Sequence, residues 1–202
     1  MLGAHRVLEQ MLANLMPATA DCHGLSGGAG NPLDIKAKIF FFQAEPETLR
    51  FVSTYTLEEA ARGVPRIIEM QVIPGDRGEG VRLIVNEHVY AGPLSAGQFC
   101  LGPVPDPRTG GTRTGYTPVE ASRNSFVLAD RLASCRFLYR RALPQAPFEE
   151  WLDAWVPSPS PLPTAIRVEM QPLAGESGRL RHSPVTVPLH FLRDFGERYE
   201  DK

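Results

Sequence analysis

Acidic and aromatic side chains are concentrated in one short stretch of this sequence. Glu149, Glu150 and Asp153 accompany two tryptophans that are four residues apart, Trp151 and Trp155. Paired carboxylates can act as the acid and base of a glycosidase, and indole rings can stack on sugars. The stretch allows two interpretations. It is either a carbohydrate-binding or carbohydrate-active site, or a solvated acidic edge beside tryptophans that face the core.

A serine-nucleophile motif is present only in part. Residues 24–28 read GLSGG, which places Ser26 in the nucleophile position of GxSxG. That motif needs a strand before it and a helix after it, whereas here a helix pattern precedes it and Pro32 follows. The same glycines lack the GK[ST] of a phosphate-binding loop. We therefore interpret the segment as a flexible loop.

The histidines and turn carboxylates are not spaced for a metal site. No two of the five histidines have the His-x-His or i, i+4 spacing of a metal-binding pair, and His88 and His190 fall inside strand patterns. Asp76 and Glu79 share a turn without EF-hand spacing. The sequence therefore predicts no metal, no cofactor and no catalytic residues, and we expect a protein that is not an enzyme.

Composition narrows the class of protein. The chain has 202 residues, is 43% hydrophobic and carries a formal net charge of -2. That balance gives no basic excess to neutralise phosphates, which argues against nucleic-acid binding. The 18 glycines and 19 prolines are dispersed and break the chain into short elements. Strands joined by turns are therefore expected.

The three cysteines are Cys22, Cys100 and Cys135, and none has CxxC spacing, so they indicate no zinc site. Cys135 falls within a strand pattern, where a buried free thiol is expected. If one disulfide forms, Cys22 and Cys100 are the favoured pair.

The first 16 residues have helical periodicity, and Pro17 ends the pattern. Apolar residues recur at steps of three and four and form one face: Ala4, Val7, Leu8, Met11, Leu12 and Leu15. Such a face packs against the rest of the chain or binds a partner, and the period alone does not choose.

Runs rich in β-branched and aromatic residues predict strands farther along the chain. They lie at residues 38–42, 48–55, 64–74, 80–92, 164–173 and 184–192. The turn at 75–80 has hairpin chemistry, so the runs on either side of it should pair antiparallel. Residues 93–117 show no sustained period and are expected to form a long surface loop. Regular structure resumes after Ser125, with a short strand from Asp130.

The most specific similarity lies between residues 128 and 170. A strand segment LADRLASCRFLYR (128–140), a tryptophan segment (151–155) and LPTAIRVEM (162–170) follow one another. This order resembles the minor pseudopilins of the type II secretion system, specifically the J-type component. The Leu-Pro-x-Ala-Ile-Arg-Val run is its most specific part. FVSTYTLEE from Phe51 and the paired strands after Val64 are also similar, although their sequences are generic.

The resemblance implies an α+β, pseudopilin-like fold with an N-terminal helix packed on antiparallel sheet. Members of that family carry a cleavable leader and about 20 apolar residues that anchor the helix in the inner membrane. Residues 1–16 would then be the C-terminal part of that helix, and 17–202 a β-rich globular domain. The anchor itself is not in this sequence.

The resemblance also implies a periplasmic, non-enzymatic subunit without a cofactor. It would co-assemble with other minor pseudopilins at the pseudopilus tip and support protein secretion across the outer membrane. Helix-helix packing would join these partners. The implied interface residues are Leu8, Met11, Leu12 and Leu15, facing either a partner or the sheet.

Overall fold

The structure is a computed structural model that describes residues 2–22, 37–58, 61–141, 149–156, 162–174 and 184–190. Strands hold 56% of these residues and helices 13%, so the protein is mostly β. The helices are α1 (Leu2–Ala13) and α2 (Pro93–Gly97), and a 3₁₀ turn spans Asp76–Gly78. The strands are β1 (Leu15–Met16), β2 (Thr19–Cys22), β3 (Ala37–Phe40), β4 (Gln43–Ala44), β5 (Thr48–Thr56), β6 (Ala61–Pro74), β7 (Val81–Val89), β8 (Cys100–Pro105), β9 (Thr112–Tyr116), β10 (Phe126–Arg141), β11 (Glu150–Leu152), β12 (Ala165–Pro172) and β13 (Val185–Pro188).

One large antiparallel sheet dominates the described residues. Its strand order is β1-β5-β6-β7-β10-β12-β13, with β4 paired to β5 and β11 paired to β10. Two antiparallel ribbons, β2–β3 and β8–β9, lie outside this sheet. The chain leaves the sheet after β7, forms the β8–β9 ribbon and returns at β10.

The large sheet is buried on both faces along β5 and β6. Successive side chains of a strand point to opposite faces. Phe51 and Ile68 therefore join the main core on one face, together with the apolar residues of β10, β12 and β13. On the other face, Val52 and Ile67 pack with the β2–β3 ribbon and with Ala96 of α2.

The prediction of an α+β, pseudopilin-like fold is wrong. The described chain is mostly β and is dominated by one large antiparallel sheet, and the helix predicted over residues 1–16 is the short helix Leu2–Ala13 of 12 residues. The helix ends early because Leu15 and Met16 pair with Ser53 and Val52 at the edge of the sheet. Pro17, which lacks an N–H, does not favour continuation of the helix. No helix of the described residues is long and apolar enough to cross a membrane.

The predicted hairpin is confirmed. Strands β6 and β7 pair antiparallel from Arg66 opposite Val89 to Pro74 opposite Val81. The turn between them needs Gly80, whose φ is +64°, and whose hypothetical Cβ would collide with the carbonyl oxygen of Leu132. The turn residues and the alternation of the two strands are therefore sufficient to predict this hairpin from the sequence.

The alternation predicted for β12 is also confirmed. Ile166, Val168 and Met170 point into the main core, whereas Arg167 and Glu169 lie on the opposite, more exposed face. The last predicted strand is present as β13, which pairs with β12 and places Val185 and Val187 in the core.

The expectation of a long loop at residues 93–117 is wrong, since the segment contains α2 and the β8–β9 hairpin. Pro103 and Pro105 lie opposite Thr114 and Thr112 in the ribbon. Proline is tolerated there because β8 is an edge strand, where a missing N–H breaks no second ladder. The high Gly and Pro content of this segment predicts a loop, although the segment forms a regular β8–β9 hairpin.

Strand β10 is longer than expected and begins at Phe126 rather than at Asp130. Its register shifts between Val127 and Ser134, and Arg131 adopts a left-handed φ of 55°. These bulges let the first half of β10 pair with β7, while the second half pairs with β12 and β11.

Candidate functional site

A half-open cleft of about 580 Å³ lies between the β8–β9 ribbon, strands β3 and β4, and the segment after β11. Four rings line it, those of Phe40, Phe42, Tyr116 and Trp155. Burial raises the pKa of Tyr116 to about 12, so its hydroxyl stays neutral. Ligand clefts typically measure roughly 300–1,000 Å³ and combine such apolar walls with a few polar groups.

Two ion pairs flank this cleft. Arg113 of β9 contacts Glu45 at 2.5 Å, and Arg108 of the hairpin turn contacts Asp153 at 2.6 Å. The second pair joins the hairpin to the segment after β11. Both arginines are about half exposed, so each pair is weak in isolation and can exchange partners.

Asp106 shapes the turn that presents Arg108. Its carboxylate accepts hydrogen bonds from the Arg108 backbone N–H at 3.0 Å and from the Thr109 hydroxyl at 2.8 Å. Those bonds, with a smaller contribution from the guanidinium of Arg113, hold the pKa of Asp106 below its usual value. Both of its oxygens are therefore occupied by the turn.

The residues of the proposed carbohydrate site do not converge. Glu149 pairs with Arg140 at 2.6 Å, Glu150 with Arg141 at 3.6 Å, and Asp153 with Arg108. Each carboxylate is thus neutralised by a different arginine. The arrangement offers no paired acid and base.

The two tryptophans of that stretch also have different environments. Trp155 is 7% exposed and belongs to the main core, at one side of the cleft. Trp151 is half-buried, and the guanidinium of Arg167 lies 3.9 Å from its ring centroid. A cation already covers this indole, in the geometry of a cation–π contact.

The helix residues predicted as an interface lie against the sheet. Leu8, Met11 and Leu12 have no exposed surface, and their neighbours include residues of β5 and β13. Leu15 is partly buried in β1. Of the two orientations left open by the sequence, the structure has the sheet-facing one. Contact between this helix and a partner stays a prediction.

A buried ionic network on the ribbon-covered face of the sheet was not predicted. Arg50 is fully buried, and its Nε donates to Glu69 Oε1 at 2.8 Å. Its other donors bond Gln43 Oε1 at 2.6 Å and the carbonyl oxygen of Thr117 at 3.0 Å. The guanidinium also lies 5.0 Å from the ring centroid of Phe99.

Glu69 links this arginine to the surface. Its Oε2 is 2.9 Å from His88 Nε2 and accepts a hydrogen bond from Asn86 Nδ2 at 3.3 Å. Burial by itself would raise the pKa of Glu69, but the hydrogen bond with His88 and the charge of Arg50 together lower it below the usual value. Glu69 is therefore ionised, and the network holds a charge pair inside the sheet.

Strand register could have revealed this network. Arg50 lies directly opposite Glu69, and Glu69 lies opposite Asn86. The predicted β6–β7 hairpin already implied the second of these pairings. The signal in the sequence is a charged residue in the middle of two apolar runs, which is rare unless the charges are paired.

Cys22 and Cys100 form a disulfide, as favoured from the sequence, with Cα atoms 5.5 Å apart. It joins β2 to β8 and therefore ties the two ribbons together. Cys135 is a buried free thiol, also as expected. Burial raises its pKa to about 12, which disfavours the reactive thiolate form.

Among the described residues, no three histidine, cysteine or acidic side chains are grouped as metal ligands. His88 is a half-exposed strand residue, as predicted, whereas the prediction that His190 is a strand residue is wrong, because it lies just past the end of β13. Asp76 pairs with Arg82 at 2.6 Å. Ser26 and the GLSGG motif lie outside the described residues.

Comparisons with protein-family models, curated proteins and solved structures find no match for this chain.

Proposed function

We propose that this chain is a non-enzymatic assembly subunit, a J-type minor pseudopilin of the type II secretion system. Its role is to co-assemble with other minor pseudopilins at the pseudopilus tip, outside the cytoplasm. The observation that carries this proposal is structural continuity of the residues that resemble the family. They form one antiparallel unit, in which β10 pairs with both β11 and β12.

The most specific part of the resemblance is also the best packed. Leu162, Ala165 and Ile166 of the Leu-Pro-x-Ala-Ile-Arg-Val run are at most 4% exposed, and Ile166 lies opposite the buried Tyr139. The run is thus buried in the core of this antiparallel unit.

The disulfide supports the compartment. Structural disulfides form and persist in oxidising compartments such as the bacterial periplasm. The Cys22–Cys100 bond joins β2 of one ribbon to β8 of the other. The presence of this disulfide agrees with a domain that works on the periplasmic side of the inner membrane.

The partner surface follows from the helix. Since Leu8, Met11 and Leu12 are occupied by the sheet, a partner helix would meet the outer face of α1. That face carries the exposed residues Arg6, Glu9, Gln10 and Ala13. The proposed contact with a partner helix is therefore mainly polar. It differs from the apolar interface that the helical periodicity predicts.

Light scattering after size exclusion tests the proposal directly. The chain is mixed with candidate minor pseudopilins from its source organism, each verified as folded by circular dichroism. We expect a stable heteromeric complex that Glu9→Lys weakens and that Glu120→Lys, the same charge change at an exposed site away from α1, leaves intact. Absence of any complex with folded partners would refute the assignment.

A further inference from the structure

We propose that the Cys22–Cys100 disulfide is a redox-sensitive switch, whose reduction opens one layer of the protein while the large sheet and its main core stay folded. This ribbon layer consists of the β2–β3 ribbon, α2 and the β8–β9 ribbon. The switch does not depend on the pseudopilin assignment, because it follows from the positions of the cysteines and of the two apolar clusters.

The two apolar clusters lie on opposite faces of the large sheet. The main core contains residues of α1, β10 and β12, such as Leu8, Phe137 and Val168. The second cluster lies under the ribbon layer and contains Cys22, and Cys100 packs against it. Both halves of the disulfide therefore belong to the second cluster, and the sheet separates them from the main core.

The contact between the ribbon layer and the sheet is partly ionic. Among the described residues, the sheet contributes two fully buried apolar side chains to the second cluster, Val52 and Ile67. Beside them, the buried Arg50 donates a hydrogen bond to the carbonyl oxygen of Thr117, directly after β9, at 3.0 Å. When the layer opens, water replaces that carbonyl and hydrates the Arg50–Glu69 pair, whose desolvation is costly. Opening is therefore less costly here than at a purely apolar interface.

The disulfide offsets this by restricting the open state. Cys22 is the last residue of β2 and Cys100 the first of β8, and they are 78 residues apart in the chain. A covalent link across a long loop lowers the conformational entropy of the states in which that loop is open. Reduction removes this restriction, so the open state becomes more populated. The layer is thus closed in an oxidising compartment and opens more often in a reducing one.

The reductant must be an external dithiol. Its thiolate attacks the sulfur of Cys100, the partly exposed partner, because Cys22 has no exposed surface. The S–S bond breaks and the Cys22 thiolate takes a proton. The second thiol of the reductant then displaces Cys100 and closes a disulfide within the reductant, so two electrons and two protons pass to the protein. Cys135 is buried in the main core across the sheet and does not exchange with this pair.

Hydrogen–deuterium exchange of the whole chain, read by mass spectrometry of its peptides, tests the switch without and with excess dithiothreitol. We expect reduction to speed amide exchange in the β2–β3 and β8–β9 ribbons at least about tenfold, because local opening governs their exchange. Exchange in β12 should change less than about twofold, because its amides open only with the main core. Replacing dithiothreitol by oxidised glutathione re-forms the bond, with two glutathione thiols as product, and should restore slow exchange.

Two variants separate the switch from a general loss of stability. Cys135→Ala keeps the disulfide and should respond to dithiothreitol as the parent does. Cys22→Ala combined with Cys100→Ala should show fast exchange in the ribbons whether or not dithiothreitol is present. If either variant does not fold, the parent protein with and without dithiothreitol still provides the comparison.

The proposal is overturned if reduction leaves exchange in the ribbons unchanged, which would mean that their packing alone keeps the layer closed. It is also overturned if β12 loses protection together with the ribbons, because the protein would then unfold as one unit. Failure of oxidised glutathione to restore slow exchange would exclude a reversible switch. Failure of pseudopilin co-assembly would not affect these results, because the experiment contains no other pseudopilin.

Discussion

Replacing Glu69 by glutamine should destabilise the protein strongly. The change keeps the size of the side chain but removes the anion that faces the fully buried guanidinium of Arg50. Gln43 and the carbonyl oxygen of Thr117 would still accept hydrogen bonds from Arg50, yet no charge would compensate it. Breaking one side of a buried ion pair costs about 3–5 kcal/mol. A whole domain is stable by only about 5–15 kcal/mol, so this loss is large.

Removing both charges together should restore much of that loss. In Arg50→Met with Glu69→Leu, no buried charge is left unpaired, and apolar replacements of a buried pair are often close to neutral. His88 and Asn86 are part-exposed and can turn to water. We expect the double variant to lie within about 2 kcal/mol of the parent. The surface change Glu169→Gln, which breaks the pair with Arg136, should cost less than about 1 kcal/mol.

The same pair predicts how stability depends on pH. The folded-state pKa of Glu69 is lowered from 4.5. Its contribution is therefore fully present above pH 4.5 and disappears as the pH falls through the folded value. Urea unfolding followed by circular dichroism, without reductant, measures this at several pH values. The stability of the parent should fall more steeply below pH 4.5 than that of Glu69→Gln.

Two results would contradict this reasoning. One is a loss of less than about 1 kcal/mol for Glu69→Gln at pH 7, which is the range of an exposed pair. The other is a double variant that is less stable than Glu69→Gln alone. Either result would mean that the charges are solvated or that the packing around them matters more than their pairing.

Three further predictions concern the disulfide, the helix and the free thiol. Since Cys22 and Cys100 are 78 residues apart, replacing both by alanine should cost about 4 kcal/mol, seen as a lower urea midpoint that reductant does not lower further. Leu12→Ala should cost about 2–5 kcal/mol because its side chain has no exposed surface, whereas the exposed Ala13→Ser should cost far less. Cys135 should resist a thiol-reactive dye at pH 8 until urea unfolds the protein, and rapid labelling of the native state would contradict its burial.

Elements with local signals could be predicted from the sequence, whereas elements fixed by distant contacts could not. The β6–β7 hairpin depends on its own turn residues, and β12 depends on its own alternation, so both are readable in the chain. The length of α1 depends instead on Ser53, which pairs with Leu15 across the edge of the sheet. No window of residues around the helix contains that information.

The candidate sites divide in the same way. The tryptophan and carboxylate cluster was conspicuous in the sequence, but its acids are neutralised by arginines from β10 and from the hairpin turn. The sequence does not predict the cleft, because one of its walls is the β8–β9 hairpin, whose Gly- and Pro-rich sequence favours a loop. The sequence analysis does not predict the role of Arg50 either. Its position in an apolar strand directly opposite Glu69 indicates a buried ion pair once the register of the two strands is known.

The ionic network and the cleft are physically connected through the β8–β9 ribbon. Arg50 binds the carbonyl oxygen of Thr117, directly after β9, and its guanidinium lies 5.0 Å from the ring centroid of Phe99, directly before β8, and 5.7 Å from that of Tyr116. Tyr116 in turn lines the cleft. Because the buried charge pair holds the base of the ribbon, its loss should also change the shape of the cleft in a variant that remains folded. The disulfide anchors the same base through Cys100, so the stability of the ribbon and the shape of the cleft depend on a common set of contacts.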